Sequence, residues 1–312
     1  MRNRGLIASV PRQEWLSPVE NTLQKATHAV VGQGESRRGL RNFLHGTWLG
    51  HPLHVILTDI PLGSWTAAVV CDALESITGD DRVGDAADYA IGIGLIGAAG
   101  AAITGLTDWA DTDEPARRIG VVHALLNVAG VALFTGSLVT RRRSRASGKG
   151  LAALGYACST LAARFGGNLV YEQRIGVDRT AGQEFPAEFT PLLPESALTE
   201  NQPRRAEHKG VPILLIRRGE RIFALPATCS HLGGPLDEGT IEGRSVQCPW
   251  HGSRFSLDDG RVLDGPAVHP LPCLEARVHD GQVEVRKQRP AGKVQAEGSA
   301  GSLTERRTGT MG

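Results

Sequence analysis

Four apolar stretches, residues 51–74, 86–109, 119–140 and 151–171, dominate the first half of the chain. As helices rising about 1.5 Å per residue, stretches of roughly 20 residues cross a hydrocarbon core of about 30 Å. The constraint is severe. Hydrocarbon offers no partner to a backbone N–H or C=O, so only helices and closed barrels survive there. Charged loops at 75–85, 111–118 and 141–149 separate the stretches. A buried soluble bundle would need a polar face on every helix. Residues 119–140, whose one ionisable group is His123, provide none. The expectation is an all-α four-helix transmembrane bundle over residues 43–172.

A polar arm, residues 1–42, precedes it. Ser17-Pro18-Val19-Glu20 reads as a helix start, with Ser17 as the N-cap, Pro18 in the first turn and Glu20 reaching back. Val19, Leu23, Ala26 and Val30 then recur at helical spacing. This predicts a short amphipathic helix lying on the membrane surface or against the bundle. No apolar core follows the basic start, so no cleavable signal peptide is expected. Gly92-Ile93-Gly94-Leu95-Ile96-Gly97 matches a dinucleotide-binding fingerprint only formally. No strand precedes it, and small residues at these spacings let membrane helices pack closely.

The second half is polar and carries the chemistry. Cys229-Ser230-His231-Leu232-Gly233-Gly234 is answered by Cys248-Pro249-Trp250-His251-Gly252-Ser253. Each half offers one thiolate and one imidazole. Cys229, His231, Cys248 and His251 suit a [2Fe–2S] cluster with both thiolates on one iron and both imidazoles on the other. A structural zinc site uses the same donor types. Of five cysteines, Cys71, Cys158 and Cys273 remain, too scattered for a disulfide framework. A net charge of +1 gives no case for a nucleic-acid partner.

Strands flank these loops. Residues 211–217 and 221–225 are apolar runs around Arg218-Gly219-Glu220. Residues 274–279 and 282–286 flank Asp280-Gly281, a strong hairpin signal. The division is an arm (1–42), a helical domain (43–172), a Pro-bearing linker (173–188), an all-β domain (189–288) and a Gly- and Ser-rich tail (289–312) expected to be disordered.

With Gly233-Gly234-Pro235, Gly252-Ser253 and Gly265-Pro266 in place, residues 189–287 resemble the Rieske [2Fe–2S] ferredoxin family. The resemblance implies two loops clamping the cluster and a proline loop, bearing Pro266, over it. It makes Ser253 a donor to the cluster and sets Trp250 at its edge, as a shield from water or as packing under the loop. In respiratory Rieske proteins each ligand loop carries a second cysteine, and the two form a disulfide. Here Gly234 and Trp250 stand there. Phe255 replaces the tyrosine of high-potential members, so a low potential within the Rieske range is expected. Oxygenase subunits carry Arg where this chain has Leu232, and no domain remains for a mononuclear iron. The resemblance therefore implies an electron carrier rather than an oxygenase.

Gly50-His51-Pro52-Leu53-His54, Asp59-Ile60-Pro61 and Gly166-Gly167-Asn168-Leu169-Val170-Tyr171 make residues 46–177 similar to a four-helix membrane domain family (DUF2231-like), which supplies topology but no chemistry. Ionisable groups inside a membrane should face the bundle interior. His51 or His54 with His123 would suit the axial positions of a b-type haem. His54, Asp59 and His123 would equally suit a quinone or proton site, and a plain hydrogen-bond network would use the same residues.

The reading is a membrane-anchored Rieske protein exchanging single electrons with a reductase, an oxygenase or the quinone pool. Two alternatives stay open: a haem-containing quinol oxidoreductase with the Rieske domain as electron exit, and an iron–sulfur redox sensor. Four spans put both ends on one side of the cell membrane, and the missing disulfide points to the cytoplasm.

Overall fold

The computed structural model describes residues 5, 7–32 and 35–288. The tail 289–312 lies outside the described residues. Two short helices, α1 (Ser17–Val31) and α2 (Arg38–His45), lead into four long ones: α3 (Leu53–Thr78), α4 (Asp81–Trp109), α5 (Ala116–Arg141) and α6 (Arg145–Tyr171). α3 packs along α4 and α5 along α6, so the four form two antiparallel hairpins.

Three of them, α3, α4 and α5, are long and apolar enough to cross a membrane. The fourth expected stretch is helical, but α6 carries Arg145, Lys149 and Arg164 and falls short of that measure. Only 17% of the most apolar window of α3 is buried. Ile56, Ile60, Val70 and Ile77 of α3, and Ile93, Ile96 and Ile103 of α4, are exposed instead. Beside a few buried large residues such as Ile91, Trp65 and Phe134, the bundle turns many of its large aliphatic side chains outward and buries small or charged ones.

The inward charges are paired. At the loop ends of the two hairpins Arg141, buried, donates to Asp72 and, at 2.9 Å, to Asp88. Arg145 Nε and Lys149 Nζ lie 2.6 and 3.0 Å from the two oxygens of the buried Glu75. Buried charge is tolerated only when it is matched like this.

The opposite end of the bundle carries α1, which lies against α5 rather than apart from it. Glu20 is wholly buried and reaches Arg117 at 3.3 Å and Arg118 at 3.6 Å. The expected cap is therefore corrected. Ser17 is already helical, Leu16 precedes it without a side-chain cap bond, and the Ser17 hydroxyl accepts from Arg118 Nη2 at 3.0 Å.

The rest is β: β1 (Thr190–Pro194), β2 (Pro203–His208), β3 (Val211–Arg218), β4 (Arg221–Pro226), β5 (Thr240–Glu242), β6 (Ser245–Gln247), β7 (Arg254–Ser256), β8 (Val262–Asp264), β9 (Leu274–His279) and β10 (Gln282–Lys287). They form a six-stranded sheet, β1-β10-β9-β4-β3-β2, and a four-stranded one, β5-β6-β7-β8. All the pairings between these strands are antiparallel. Asp280 and Gly281 both take positive φ, 48° and 72°, which the two-residue turn between β9 and β10 requires. In β3, Ile213 to Ile216 are all buried, because both faces of the sheet are covered. Leu214, Ile216, Leu225 and Phe255 pack between the sheets, while Ile213, Leu215, Val283 and Val285 pack on the other face.

Candidate metal centre and its seat on the helices

The two ligand loops are built alike. Cys229 N donates to Gly234 O at 2.8 Å, and Gly233 N returns to Cys229 O at 3.0 Å. Cys248 N donates to Ser253 O at 2.8 Å, and Gly252 N returns to Cys248 O at 3.1 Å. Gly233 and Gly252 sit at φ of 86° and 75°, where a Cβ is strongly disfavoured. That explains one glycine after each ligand pair. The effect is to aim both Cys–His pairs at one place. The rings of His231 and His251 lie edge to face with centroids 5.2 Å apart. Cys229 and Cys248 are buried free thiols.

The electrostatics favour one thiolate and a neutral His231. Cys229 beside it, with backbone contacts from Trp250 and His251, brings the Cys248 thiol down to about 7. The same contact with Cys248, with burial second, pushes Cys229 up. His231 is held well below the ordinary histidine range, first by burial and then by its neighbours His251, His45 and Arg179. It is therefore neutral, as a metal ligand must be.

The residues fit a [2Fe–2S] cluster on two observations. His231 Nδ1 is buried with no hydrogen-bond partner, which is costly unless a metal takes the lone pair. A Cβ on Gly234 would lie 2.7 Å from Cys248 Sγ and 3.1 Å from Trp250, so the cradle tolerates only glycine.

The other expected residues surround this place. Ser253 Oγ accepts from Ala267 N at 2.9 Å, and its hydroxyl is turned to Cys229. Pro266, after a cis Gly265–Pro266 peptide, lies between Ser253's partner Ala267 and Gly265. Trp250 is 55% exposed and lies outside, over Gly234. It stands beside His251, centroids 6.4 Å apart.

The β-domain is seated on the helices by residues that sequence reading missed. Asn42 of α2 forks across the seam: its Nδ2 donates to Asp264 Oδ1 at 3.0 Å and its Oδ1 accepts from Gly265 N at 3.0 Å. Arg38 donates to the same Asp264. His45, buried, pairs through Nδ1 with Asp108 of α4 at 2.8 Å and touches Gly265. From the linker, Arg179 N donates to Ser230 O at 3.1 Å, and Gly176 O accepts from His269 Nε2 at 3.1 Å. The one available signal was the polar Arg38-Gly-Leu-Arg-Asn42 run beside a histidine, which reads equally well as a solvated arm.

Of the four residues considered within the membrane domain, two are held alike. His54 Nδ1 bonds the Ala101 carbonyl and His123 Nδ1 the Ala162 carbonyl, each at 2.8 Å. His51 precedes α3 and makes only a 3.4 Å contact with the Pro52 carbonyl. Asp59 is exposed on α3.

This loop pair, on two packed antiparallel sheets, defines a Rieske-type iron–sulfur protein. The Rieske [2Fe-2S] domain family matches residues 188–275, and the family described as a predicted membrane protein (DUF2231) matches residues 50–179. The β-domain is 34% identical over 93 residues to the ferredoxin CarAc of Metapseudomonas resinovorans, covering 28% of this chain and 87% of that one. It is 34% identical over 99 residues to the anthranilate 1,2-dioxygenase ferredoxin subunit of Burkholderia cepacia, covering 32% and 92%. It is also 42% identical over 62 residues to the cytochrome bc1 complex Rieske iron-sulfur subunit of Streptomyces lividans, covering 20% and 36%. The chain belongs to the Rieske [2Fe–2S] family, and the residues ahead of that domain, 50–179, match the family described as a predicted membrane protein (DUF2231).

Proposed function

We propose that this chain is a one-electron carrier whose four long helices all cross the bilayer and whose β-domain stands on the cytoplasmic side. The observation that carries the reading is the convergence of Cys229, His231, Cys248 and His251 at the head of a β-domain seated on outward-facing apolar helices. A [2Fe–2S] cluster held there supplies one-electron chemistry, in the span of roughly −150 to +300 mV that two imidazole ligands allow.

The chain's own residues tune the place. The Ser253 hydroxyl on Cys229 withdraws charge from sulfur and favours the reduced state. Phe255, fully buried, brings no hydroxyl, and Gly234 and Trp250 bring no disulfide. These support a potential in the low part of that span. The linker is bonded beside His231 through Arg179 N and Ser230 O, whereas His251 beside the exposed Trp250 is the edge a soluble partner reaches. The names of the ferredoxin relatives support a reductase or an oxygenase as that partner, with the quinone pool as the membrane counterpart.

α6 is included among the spans because it packs along α5 and exposes Leu154 and Leu161, as its neighbours expose theirs. Four spans return the chain to the side of its arm. The free thiols at every cysteine support a reducing compartment. A second reading adds a b-type haem between His54 and His123, favoured by the matching way their rings are anchored.

The test uses the full chain purified in detergent. Iron and acid-labile sulfide in equal amounts, with a Rieske electron paramagnetic resonance signal after reduction, is the expected result. Zinc without sulfide would overturn the assignment. Protease digestion of the β-domain in inverted but not right-side-out vesicles checks the orientation.

A further inference from the structure

The two helical hairpins are copies of one unit. His54 on α3 gives its Nδ1 to the Ala101 carbonyl of α4 at 2.8 Å, and its ring lies against Gly105, where a Cβ would come within 2.7 Å. His123 on α5 gives its Nδ1 to the Ala162 carbonyl of α6 at 2.8 Å, and its ring lies against Gly166, where a Cβ would come within 3.1 Å. In both cases the glycine follows the alanine by one helical turn.

The match continues down the helices. Asp72 and Arg141 are 69 residues apart in sequence, as are His54 and His123, Trp65 and Phe134, Pro61 and Gly130, and Ala68 and Ser137. Trp65 packs on Gly94 of α4 and Phe134 on Gly155 of α6, again at equal distances from the anchoring alanines. α3 and α5 stand diagonally in the bundle, each flanked by α4 and α6. Their equivalent residues meet across the centre: Trp65 stacks on Phe134 with centroids 4.3 Å apart, and Arg141 clasps Asp72. The hairpins are thus related by a pseudo-twofold axis along the bundle, and His54 and His123 face each other across it at the end that carries the β-domain.

That placement fixes the chemistry. A carbonyl oxygen can only accept, so each Nδ1 carries the proton and each Nε2 presents a lone pair. Histidines that ligate a metal are typically oriented in this way, through the other ring nitrogen. Asn127 Nδ2 now donates to His123 Nε2 at 3.1 Å, a contact that a metal would replace. Among the described residues no third His, Cys, Asp or Glu joins the pair. A bare ion would have two protein ligands, whereas a haem brings four of its own. Repeat interfaces in membrane proteins are also where such sites recur.

We propose that His54 and His123 are the axial ligands of a b-type haem on the pseudo-twofold axis. This deepens the second reading above and is independent of the Rieske assignment.

The test is made on the full chain in detergent, with Cys248→Ser to remove cluster absorbance and haemin as the probe. The expected result is about one low-spin haem per chain by pyridine haemochrome. His54→Ala and His123→Ala should each abolish it, to the same extent because the positions are equivalent, while His51→Ala keeps it. His54→Met should retain haem with a shifted spectrum, which separates ligation from misfolding. No haem bound at saturating haemin, a bound metal ion without porphyrin, or a haem band indifferent to all three substitutions at His54 and His123 would overturn the proposal. The Rieske resonance signal of the unsubstituted chain is read separately, so either assignment can fail alone.

Discussion

The β-domain hides its large apolar side chains, and the helical domain displays them. In the β-domain Ile213 to Ile216, Leu225, Phe255, Val283 and Val285 are each almost wholly inaccessible. In the helices Ala68, Ala87, Ala152, Asp72, Glu75 and Arg141 are buried beside Trp65, Ile91 and Phe134, while most isoleucines and valines of α3 and α4 face out. The same side chains have opposite destinations because the surroundings differ. Water drives aliphatic groups inward. Lipid exerts no such drive, so small residues, close packing and paired polar groups hold helices together. Each half should accordingly fail for its own reason.

Removal of a cluster ligand is the largest test. Cys248→Ser should abolish the Rieske spectrum altogether and lower the melting of the β-domain, with the helical signal in circular dichroism unchanged. Loss of both together would show that the halves fold as one. Next is the charge cluster at the far end. Arg141→Leu leaves Asp72 buried without its partner, which should cost about 3–5 kcal/mol, read as a lower melting temperature of the detergent-solubilised chain with the cluster spectrum intact. The exchange Asp72→Arg with Arg141→Asp should recover part of it, since the two positions are equivalent in the two hairpins.

Asn42→Ala breaks the seam between the halves. It removes hydrogen bonds to a carboxylate and to a backbone N–H, and roughly 1.5–3 kcal/mol of seating energy is expected to go. Faster proteolysis in the linker, with the spectrum retained, is the readout; unchanged proteolysis would mean that the seat is held elsewhere. Ser253→Ala is smaller. Losing one hydroxyl donor should lower the potential, by about 59 mV if the redox equilibrium shifts tenfold, as measured by titration of the resonance signal. The smallest effect is at the surface. Arg244 donates to Asp258 and holds its carboxyl below the ordinary range. The depressed value means stability present above the unfolded carboxylate's pKa and lost as pH falls through the folded one. The acid limb of β-domain melting should flatten slightly in Asp258→Asn and be screened by salt.

What the sequence made legible follows from distance along the chain. The ligand loops were readable because Cys, His and the positive-φ glycine all lie within five residues of each other, and one loop repeats the other. The β9–β10 turn was readable from Asp280-Gly281 for the same reason. The seat was not, because Asn42 meets Asp264 only after the whole β-domain has folded. Nor did Ser17 cap its helix, since two arginines of α5 made a stronger claim on Ser17 and Glu20. The hairpin duplication escaped notice because equivalent places hold different chemistry: Pro61 for Gly130, Asp72 for Arg141, Trp65 for Phe134. Only burial and contact reveal them as counterparts. Charge in α6, with Arg164 on its exposed side, likewise blurred a span that composition had suggested.

The Asn42 fork has a mechanical meaning. It grips Asp264 and Gly265, and two residues later Ala267 N holds the Ser253 hydroxyl at 2.9 Å, the same hydroxyl that faces Cys229. The short segment from Asp264 to Ala267 is therefore a stiff lever, pinned at one end to the bundle and at the other to a sulfur ligand. Asn42→Ala therefore reaches beyond the seat, because the segment it frees also positions the Ser253 hydroxyl.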